Sequence, residues 1–245
     1  MVSTSTRKIG STKTSAEPAL SREAVVDRGL AIADTEGLSA VSIRRIAQDF
    51  GVTPMALYWH LKNKDELLAA MGDRILESIE VPESEPGRGP GAASLDGLRP
   101  LLSVLVDALR RHPGCTSLAQ ARILRCDAGL RLTERALQIL RDAGFSVQQS
   151  SNLARAALQT TLVLVADRPG AETTVPQEDR DEVLAGKRAA LLTLPADRFP
   201  NLIDCAESLT DCPDEAQYYG EGIDLYIAGV QALALEKGGR ADHNS

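Results

Sequence analysis

Apolar residues recur with the 3.6-residue period of an α-helix in nearly every segment between proline- and glycine-rich breaks. Val26, Leu30 and Ala33 share one face of a predicted helix that Ser21 caps and Gly37 ends. Further helices are predicted over residues 43–50, 54–61, 64–80, 98–111, 116–126, 129–143, 147–167, 179–192 and 215–236. Aromatic residues, which strands collect, make up only 3% of the chain. The pattern therefore predicts an all-α protein.

Three segments interrupt this periodicity. Residues 1–19 are rich in Ser and Thr and carry three basic residues, which indicates either a flexible basic arm or a disordered tail without a role. Residues 81–97 contain three Pro and four Gly, so we interpret them as a linker, and 168–180 as a surface loop. The linker divides the chain into a helical unit over residues 20–80 and a larger one over 98–245.

The segment SIRRIAQDFGVTPMALYWHLKNK has the layout of a helix-turn-helix, with the motif over residues 42–61. Ser42 can cap its first helix, and Gly51 suits the left-handed position of the turn. Thr53 followed by Pro54 is a typical start for its second helix. In such a motif the second helix enters the major groove of DNA, so this unit is predicted to bind DNA.

Charge is distributed unevenly along the chain. The formal net charge is −7, which alone argues against a nucleic-acid-binding protein. Residues 1–64, however, hold nine Lys/Arg against six Asp/Glu, whereas residues 65–245 hold eighteen against twenty-eight. This difference either is scatter in surface charge or indicates that the N-terminal unit meets a polyanion.

Tyr58, Trp59 and His60 are consecutive on the second motif helix, whose Leu57 and Leu61 are predicted to face the core. Three such side chains exposed together are costly unless a partner covers them. Their O–H and ring N–H groups can donate hydrogen bonds to phosphates. The alternative is that Tyr58 and Trp59 pack in the core of the helical unit.

Residues 20–80, and LYWHLKNKDELL above all, resemble the TetR family of bacterial repressors. The resemblance implies an N-terminal three-helix helix-turn-helix domain plus a larger helical ligand-binding and dimerisation domain. It also implies roles at the DNA: Arg44 reaches a base or a phosphate, Tyr58 and His60 bond phosphates, Trp59 packs at the DNA backbone or on a sugar, and Lys64 pairs with a phosphate. The full predicted DNA-binding set is Ser42, Arg44, Thr53, Pro54, Met55, Ala56, Tyr58, Trp59, His60 and Lys64.

The family's base-reading positions fall on Pro54, Met55 and Ala56, none of which offers a polar side chain. Apolar contacts to thymine methyl groups are therefore the base contacts that remain available. The operator sequence does not follow from the resemblance.

The resemblance further implies a homodimer that binds a palindromic operator and has an effector pocket in each subunit. Helices 147–167 and 215–236 can supply the dimer face through two stripes, although the same stripes also fit packing within one chain. These stripes comprise Leu153, Ala157, Thr160 or Thr161, Leu164, Tyr219, Ile223, Tyr226, Val230 and Leu233.

An effector pocket is expected in the Leu- and Ala-rich body. His112 lies at a predicted helix end, where it either faces a ligand or interacts with helix carbonyls. Arg122 and Arg125 either meet an acidic ligand or lie in water. The helix over 64–80 is expected to carry the effector's signal to the DNA through packing of Met71 and Ile75 against the body.

Other protein classes find little support in the sequence. No nucleophile elbow, phosphate loop or zinc-protease motif is present, and the four cysteines form no C-x-x-C pair, so neither an enzyme nor a cofactor or metal is expected. No apolar run reaches the roughly 18 residues of a membrane span. We expect a cytoplasmic repressor that a small molecule releases from DNA; the alternative is a DNA-binding regulator without an inducer.

Overall fold

The computed structural model describes residues 20–83, 92–172, 175 and 177–242. These residues form only helices and turns, without any strand, which confirms the predicted all-α class. The α-helices are α1 (Arg22–Glu36), α2 (Ile43–Asp49), α3 (Pro54–Tyr58), α4 (Lys64–Glu77), α5 (Leu98–Leu109), α6 (Thr116–Arg122), α7 (Asp127–Asp142), α8 (Val147–Ala166), α9 (Arg180–Leu192), α10 (Pro200–Asp204), α11 (Ala206–Thr210) and α12 (Glu215–Asp242). Short 3-10 helices cover Leu38–Ala40, Ala92–Gly97, Pro113–Cys115 and Gln177–Asp179. In this part of the chain, no helix is both long and apolar enough to cross a membrane.

Polar side chains fix the start of four helices. Ser21, Ser42, Asn63 and Ser146 each accept a hydrogen bond from the main-chain N–H three residues later, at 2.8–3.2 Å. At α8 the bond is reciprocal, because the side chain of Gln149 accepts from the N–H of Ser146 at 3.1 Å. Each such cap contributes about 1 kcal/mol, so these starts follow directly from the sequence.

The N-terminal unit, α1–α4, has a continuous apolar core. Its largest fully buried side chains are Ile32, Ile46, Leu57, Leu61, Leu67, Met71, Ile75 and Leu76. Gly51 has a φ of +63° between α2 and α3, a conformation that favours glycine. The N–H of Val52 then donates to the carbonyl of Ala47 at 3.0 Å, which closes the turn. The helix-turn-helix is thus built as its sequence predicts.

Several boundaries differ from the sequence-based expectation. Helix α3 ends at Tyr58 instead of near Leu61, and α4 ends at Glu77. The last six residues of the expected linker form a 3-10 helix in which Leu95 is fully buried, so they belong to the body. Helices α10 and α11 were not predicted. The expected basic arm, residues 1–19, lies outside the described residues.

The body packs α5, α7, α8 and α12 around a core that is rich in leucine. The hydroxyl of Tyr226 in α12 donates to the carbonyl of Leu153 in α8 at 2.8 Å, and burial raises the pKa of Tyr226 to about 12. At Gly222 the two helices approach so closely that a Cβ would lie 2.6 Å from the Leu164 side chain. Helices α8 and α12 therefore pack tightly within one chain.

Helix α4 joins the N-terminal unit to the body through α6. A Cβ at Gly72 would lie only 2.6 Å from the carbonyl oxygen of Leu118, so the two helix backbones nearly touch there. Next to this crossing, Nε of Arg122 donates to Oδ1 of Asp73 at 2.6 Å, and a second guanidinium nitrogen donates to Oδ2 at 3.1 Å. Arg122 therefore binds α4 instead of lying free in water.

Met71, which was expected to pack against the body, lies instead beside Gly29 of α1. A Cβ at Gly29 would be 3.0 Å from its sulfur. The side chain thus fills the core of the N-terminal unit. The contact with the body is made by the residues that follow it, Gly72 and Asp73, because they lie on the α6-facing side of α4.

Candidate DNA-binding surface and effector pocket

The predicted DNA-binding residues lie at the start of α2, along α3 and at the start of α4. The exposed members are Arg44, Thr53, Pro54, Met55, Tyr58, Trp59 and Lys64. Ser42, Ala56 and His60 are half-buried. On the opposite side of α3, Leu57 is fully buried, as is Leu61 just beyond the helix. One side of this segment therefore anchors it to the core while the other meets solvent.

The exposed fractions of the apolar side chains decide whether the consecutive aromatic residues at the end of α3 form a binding surface or pack in the core. Trp59 is 88% exposed, Met55 69% and Tyr58 46%. The alternative that Trp59 is a core residue is therefore wrong. Since soluble proteins rarely leave such a cluster uncovered, this surface has the character of a binding site.

Exposed basic side chains lie near these apolar and aromatic ones. Arg44, Lys62 and Lys64 are exposed, and each lacks an ion-pair partner among the described residues. The neighbouring Arg28 and Arg45 are neutralised instead, because both pair with Asp49 and Arg45 also pairs with Glu36. The surface thus combines uncompensated cations with exposed apolar side chains, a combination suited to a phosphate backbone and base edges.

Asp49 is held as a carboxylate by its two arginines. Its partial burial acts to raise its pKa, but hydrogen bonds from Arg45 and Arg28 outweigh this effect and hold the pKa below its usual value. Arg45 also pairs with Glu36 at the end of α1. This network holds α2 against α1.

Ser42 and Thr53, the two predicted caps of the motif, differ in their bonding. The Ser42 hydroxyl accepts from the N–H of Arg45 at 3.1 Å, so its own O–H stays available as a donor. Thr53 makes no side-chain cap bond and is exposed at the start of α3. Both hydroxyls thus remain capable of donating to a phosphate.

A cavity of about 480 Å³ lies between α5, α6, α7 and α8. This volume falls within the range of small-molecule sites, roughly 300–1,000 Å³. Its apolar lining consists of Leu101, Leu102, Leu105, Ile123, Leu124, Leu132, Ala136, Leu137, Ala154 and Leu158. Its polar lining consists of Gln120, Thr133, Ser151, Arg155 and Gln159.

His112, the ligand-binding residue proposed from the sequence, is not among the residues that line this cavity. Its Nδ1 lies 2.9 Å from Oδ2 of Asp34 in α1, so it links the body to the N-terminal unit. Nearby, burial raises the pKa of the Cys115 thiol to about 12, with the Asp34 carboxylate adding to the effect. This corner of the molecule is an interdomain contact.

Comparison with known protein families shows to which family this helical protein belongs. Residues 25–71 match the model described as "Bacterial regulatory proteins, tetR family". Residues 98–234, more than half of the chain, match the "Tetracyclin repressor-like, C-terminal domain". The chain belongs to the TetR family of transcriptional regulators. It is accordingly a DNA-binding regulator and not an enzyme.

Individual TetR-family relatives align over most of this regulator. The class C tetracycline repressor of Escherichia coli is 28% identical, with 88% of this chain and 93% of the relative covered. The transcriptional repressor DrrR1 of Streptomyces coeruleorubidus is 27% identical, with 92% and 82% covered. The solved structure of apo ActR from Streptomyces coelicolor is 27% identical, with a TM-score of 0.65 and 91% and 100% covered. ActR has also been solved in complex with actinorhodin.

The residues that line the cavity were not predicted from the sequence. The signal was nevertheless present on α8, where Ser151, Arg155 and Gln159 recur every four residues beside Ala154 and Leu158. This spacing produces a polar column next to an apolar one on the same helix. Periodicity alone does not show that both columns border a cavity, because that depends on how α5 and α7 pack opposite them.

Proposed function

We propose that this TetR-family regulator is a cytoplasmic homodimeric repressor that binds a palindromic operator and leaves it when a small molecule fills the α5–α8 cavity. The observation that supports it most is the 88% exposure of Trp59, next to exposed Met55 and to Arg44 and Lys64, which have no ion-pair partner in the described part of the chain. The alternative, a DNA-binding regulator without an effector, is less well supported because it leaves the cavity unused.

At the DNA, α3 would enter the major groove with Pro54, Met55 and Ala56 at the base edges. Apolar side chains there contact thymine methyl groups and give no hydrogen-bond readout. Phosphate contacts would position the helix. Those assigned to them are Ser42, Arg44, Thr53, Tyr58, Trp59, His60 and Lys64, with Trp59 packing against the backbone.

Effector control is supported by the cavity and by one relative. ActR, 27% identical to this regulator, has been solved with actinorhodin bound. Helix α6 both lines the cavity and crosses α4 at Gly72, so a ligand that moves α6 would move the DNA-binding unit. A release mechanism needs only that the ligand prefer the conformation that does not fit the operator.

Five residues of the two stripes predicted to form the dimer face are covered within the chain, whereas Leu233 of α12 is 46% exposed. Ala157, Thr161, Tyr219, Ile223 and Val230 are buried within the chain itself, so the intrachain alternative is correct for them. A different stripe of α12 is apolar and exposed, and it is the proposed dimer face. It comprises Leu225, Ala228, Gly229, Ala232 and Leu235.

Selection from random double-stranded DNA tests the DNA-binding half of the proposal. The purified regulator is expected to enrich an inverted repeat. On that site, Lys64→Ala should weaken binding by about tenfold on matched and mismatched sequences alike, because a phosphate contact carries no sequence information. Met55→Gln should change which base is preferred within the half-site.

Lys187→Ala is the matched control, because Lys187 pairs with Glu172 in the body, away from α3. It should bind the selected site as the wild type does. Enrichment of no sequence, or a uniform loss in Met55→Gln without a change in preference, would contradict the assignment.

A further inference from the structure

We propose that the α5–α8 cavity selects an organic acid: a molecule with an apolar body and one anionic group, such as a carboxylate, that pairs with Arg155. This inference rests on the proposed role of the cavity as the effector site. It adds the chemical class of the ligand, which neither the fold nor the family fixes.

The inner wall of the cavity is apolar. Leu101, Leu102 and Leu105 of α5 and Leu132 of α7 line it and are themselves buried. Covering apolar ligand surface against such a wall is favourable, because it removes that surface from water. The body of the ligand is therefore expected to be hydrocarbon or aromatic.

Helix α8 contributes both apolar and polar side chains to the cavity. Ala154 and Leu158 are half-buried and continue the apolar wall, whereas Ser151, Arg155 and Gln159 are exposed and form its rim. A ligand in the cavity would thus meet leucines at one end and a row of polar groups at the other. The polar end of the ligand is expected at Arg155, in the middle of that row.

Arg155 is the charged group of this lining and has no acidic partner. Among the described residues that line the cavity there is no Asp or Glu, and none elsewhere in the described chain pairs with its guanidinium. Other arginines of the body do have carboxylate partners, as Arg122 has in Asp73 and Arg99 in Asp224. A carboxylate would supply the missing partner with two parallel hydrogen bonds.

Charge also disfavours the opposite class of ligand. A cationic ligand would bring a second positive charge next to Arg155 in a partly desolvated site without a carboxylate to balance it. A neutral ligand would gain at most an ordinary hydrogen bond from the guanidinium, without the charge attraction and paired geometry of a carboxylate. The chemistry of the lining therefore favours an anion over both.

A fluorescent pair of probes tests this class directly: anthracene-2-carboxylate and its neutral isostere anthracene-2-carboxamide. The wild type should bind the carboxylate about tenfold more tightly, the lower range for a hydrogen-bonded charge in a site that water still reaches. Arg155→Gln should remove this preference while leaving the carboxamide affinity unchanged. Arg155→Lys should retain part of it.

Arg198→Gln is the matched control, since Arg198 is exposed in the loop before α10, lies outside the cavity lining and undergoes the same change of charge. It should keep the full preference. Equal affinity of the wild type for both probes, failure of both to bind, or a preference that survives Arg155→Gln would overturn the proposal.

DNA binding is measured in parallel on the selected operator, so the two proposals are separable. Arg155-dependent binding of the carboxylate without DNA release would support the ligand class and contradict the effector role of the cavity. A wild-type protein that binds DNA but shows no preference for the carboxylate would contradict the ligand class alone.

Discussion

Asp49 shows how one side chain organises the DNA-binding surface. It accepts hydrogen bonds from Arg28 of α1 and Arg45 of α2, and these lower its pKa. Because the folded pKa lies below the unfolded value, its contribution to stability is present at neutral pH and disappears as the pH falls through the folded pKa. The charges that it neutralises would otherwise repel each other beside α2.

Asp49→Asn should lower the free energy of unfolding at pH 7 by about 1 kcal/mol, a magnitude typical of ion pairs near the surface. Urea denaturation of the two proteins measures this difference. The difference should shrink as the pH falls through the lowered folded pKa of Asp49, because the carboxylate then becomes protonated in both states.

Asp197→Asn serves as the control, since Asp197 is exposed in the loop before α10 and forms no ion pair with the described residues. It should leave the unfolding free energy unchanged at neutral and at acid pH. An Asp49→Asn difference that persists undiminished in acid would show that the carboxylate is not its source.

At the scale of elements, the proposed effector mechanism requires α4 and α6 to move together, and their backbones leave no room at the crossing. Gly72→Ala would place a Cβ 2.6 Å from the Leu118 carbonyl, a backbone atom that a rotamer change cannot move. We expect the substitution to separate the helices, to lower the free energy of unfolding by about 1–3 kcal/mol, and to change operator affinity.

Gly186→Ala is the matched control, because Gly186 is also helical but has open space at its Cβ position. It should stabilise α9 slightly through helix propensity and leave operator affinity as it is. Thermal unfolding and DNA titration of both variants check the two effects. Wild-type behaviour of Gly72→Ala in both assays would rule out the crossing as the transmitting contact.

The helices also show which structural features can be predicted from the sequence. Ser42, Asn63 and Ser146 cap helices because side chain and backbone lie three residues apart, a relation visible in sequence. Helices α10 and α11 have five residues each, too few for a period to emerge. The partner of His112 is Asp34, 78 residues away, so only the fold reveals it.

The buried apolar stripe of α12 shows a second limit of prediction from sequence. Tyr219, Ile223 and Val230 have a spacing that fits an interface between chains as well as a core within one chain. Periodicity identifies an apolar face without identifying what covers it. Only the packing of α8 across Gly222 assigns this face to the monomer core and leaves Leu225 on the outside.

At the scale of the whole molecule, two-fold symmetry would match two DNA-binding units to two half-sites. Leu225 is 79% exposed at the N-terminal end of the proposed dimer face, so Leu225→Glu should convert the dimer to a monomer in sedimentation experiments. Operator affinity should fall by at least about 10²-fold, since each monomer engages one half-site alone.

Leu130→Glu is the control for added charge, because Leu130 is 50% exposed on α7, away from α12. It should remain dimeric with wild-type operator affinity. A Leu225→Glu protein that still sediments as a dimer would move the interface to another surface.

The exposed thioether of Met55 has one more consequence. A helix that reads the major groove with carbon and sulfur senses the 5-methyl group of a pyrimidine more than its hydrogen-bonding edge. Replacing thymine by deoxyuridine in the half-site removes that methyl group, and 5-methylcytosine adds one where none stood. Occupancy of the operator would then respond to the methylation state of the DNA, so that enzymatic cytosine methylation at the site acts on the same contact as a change of base.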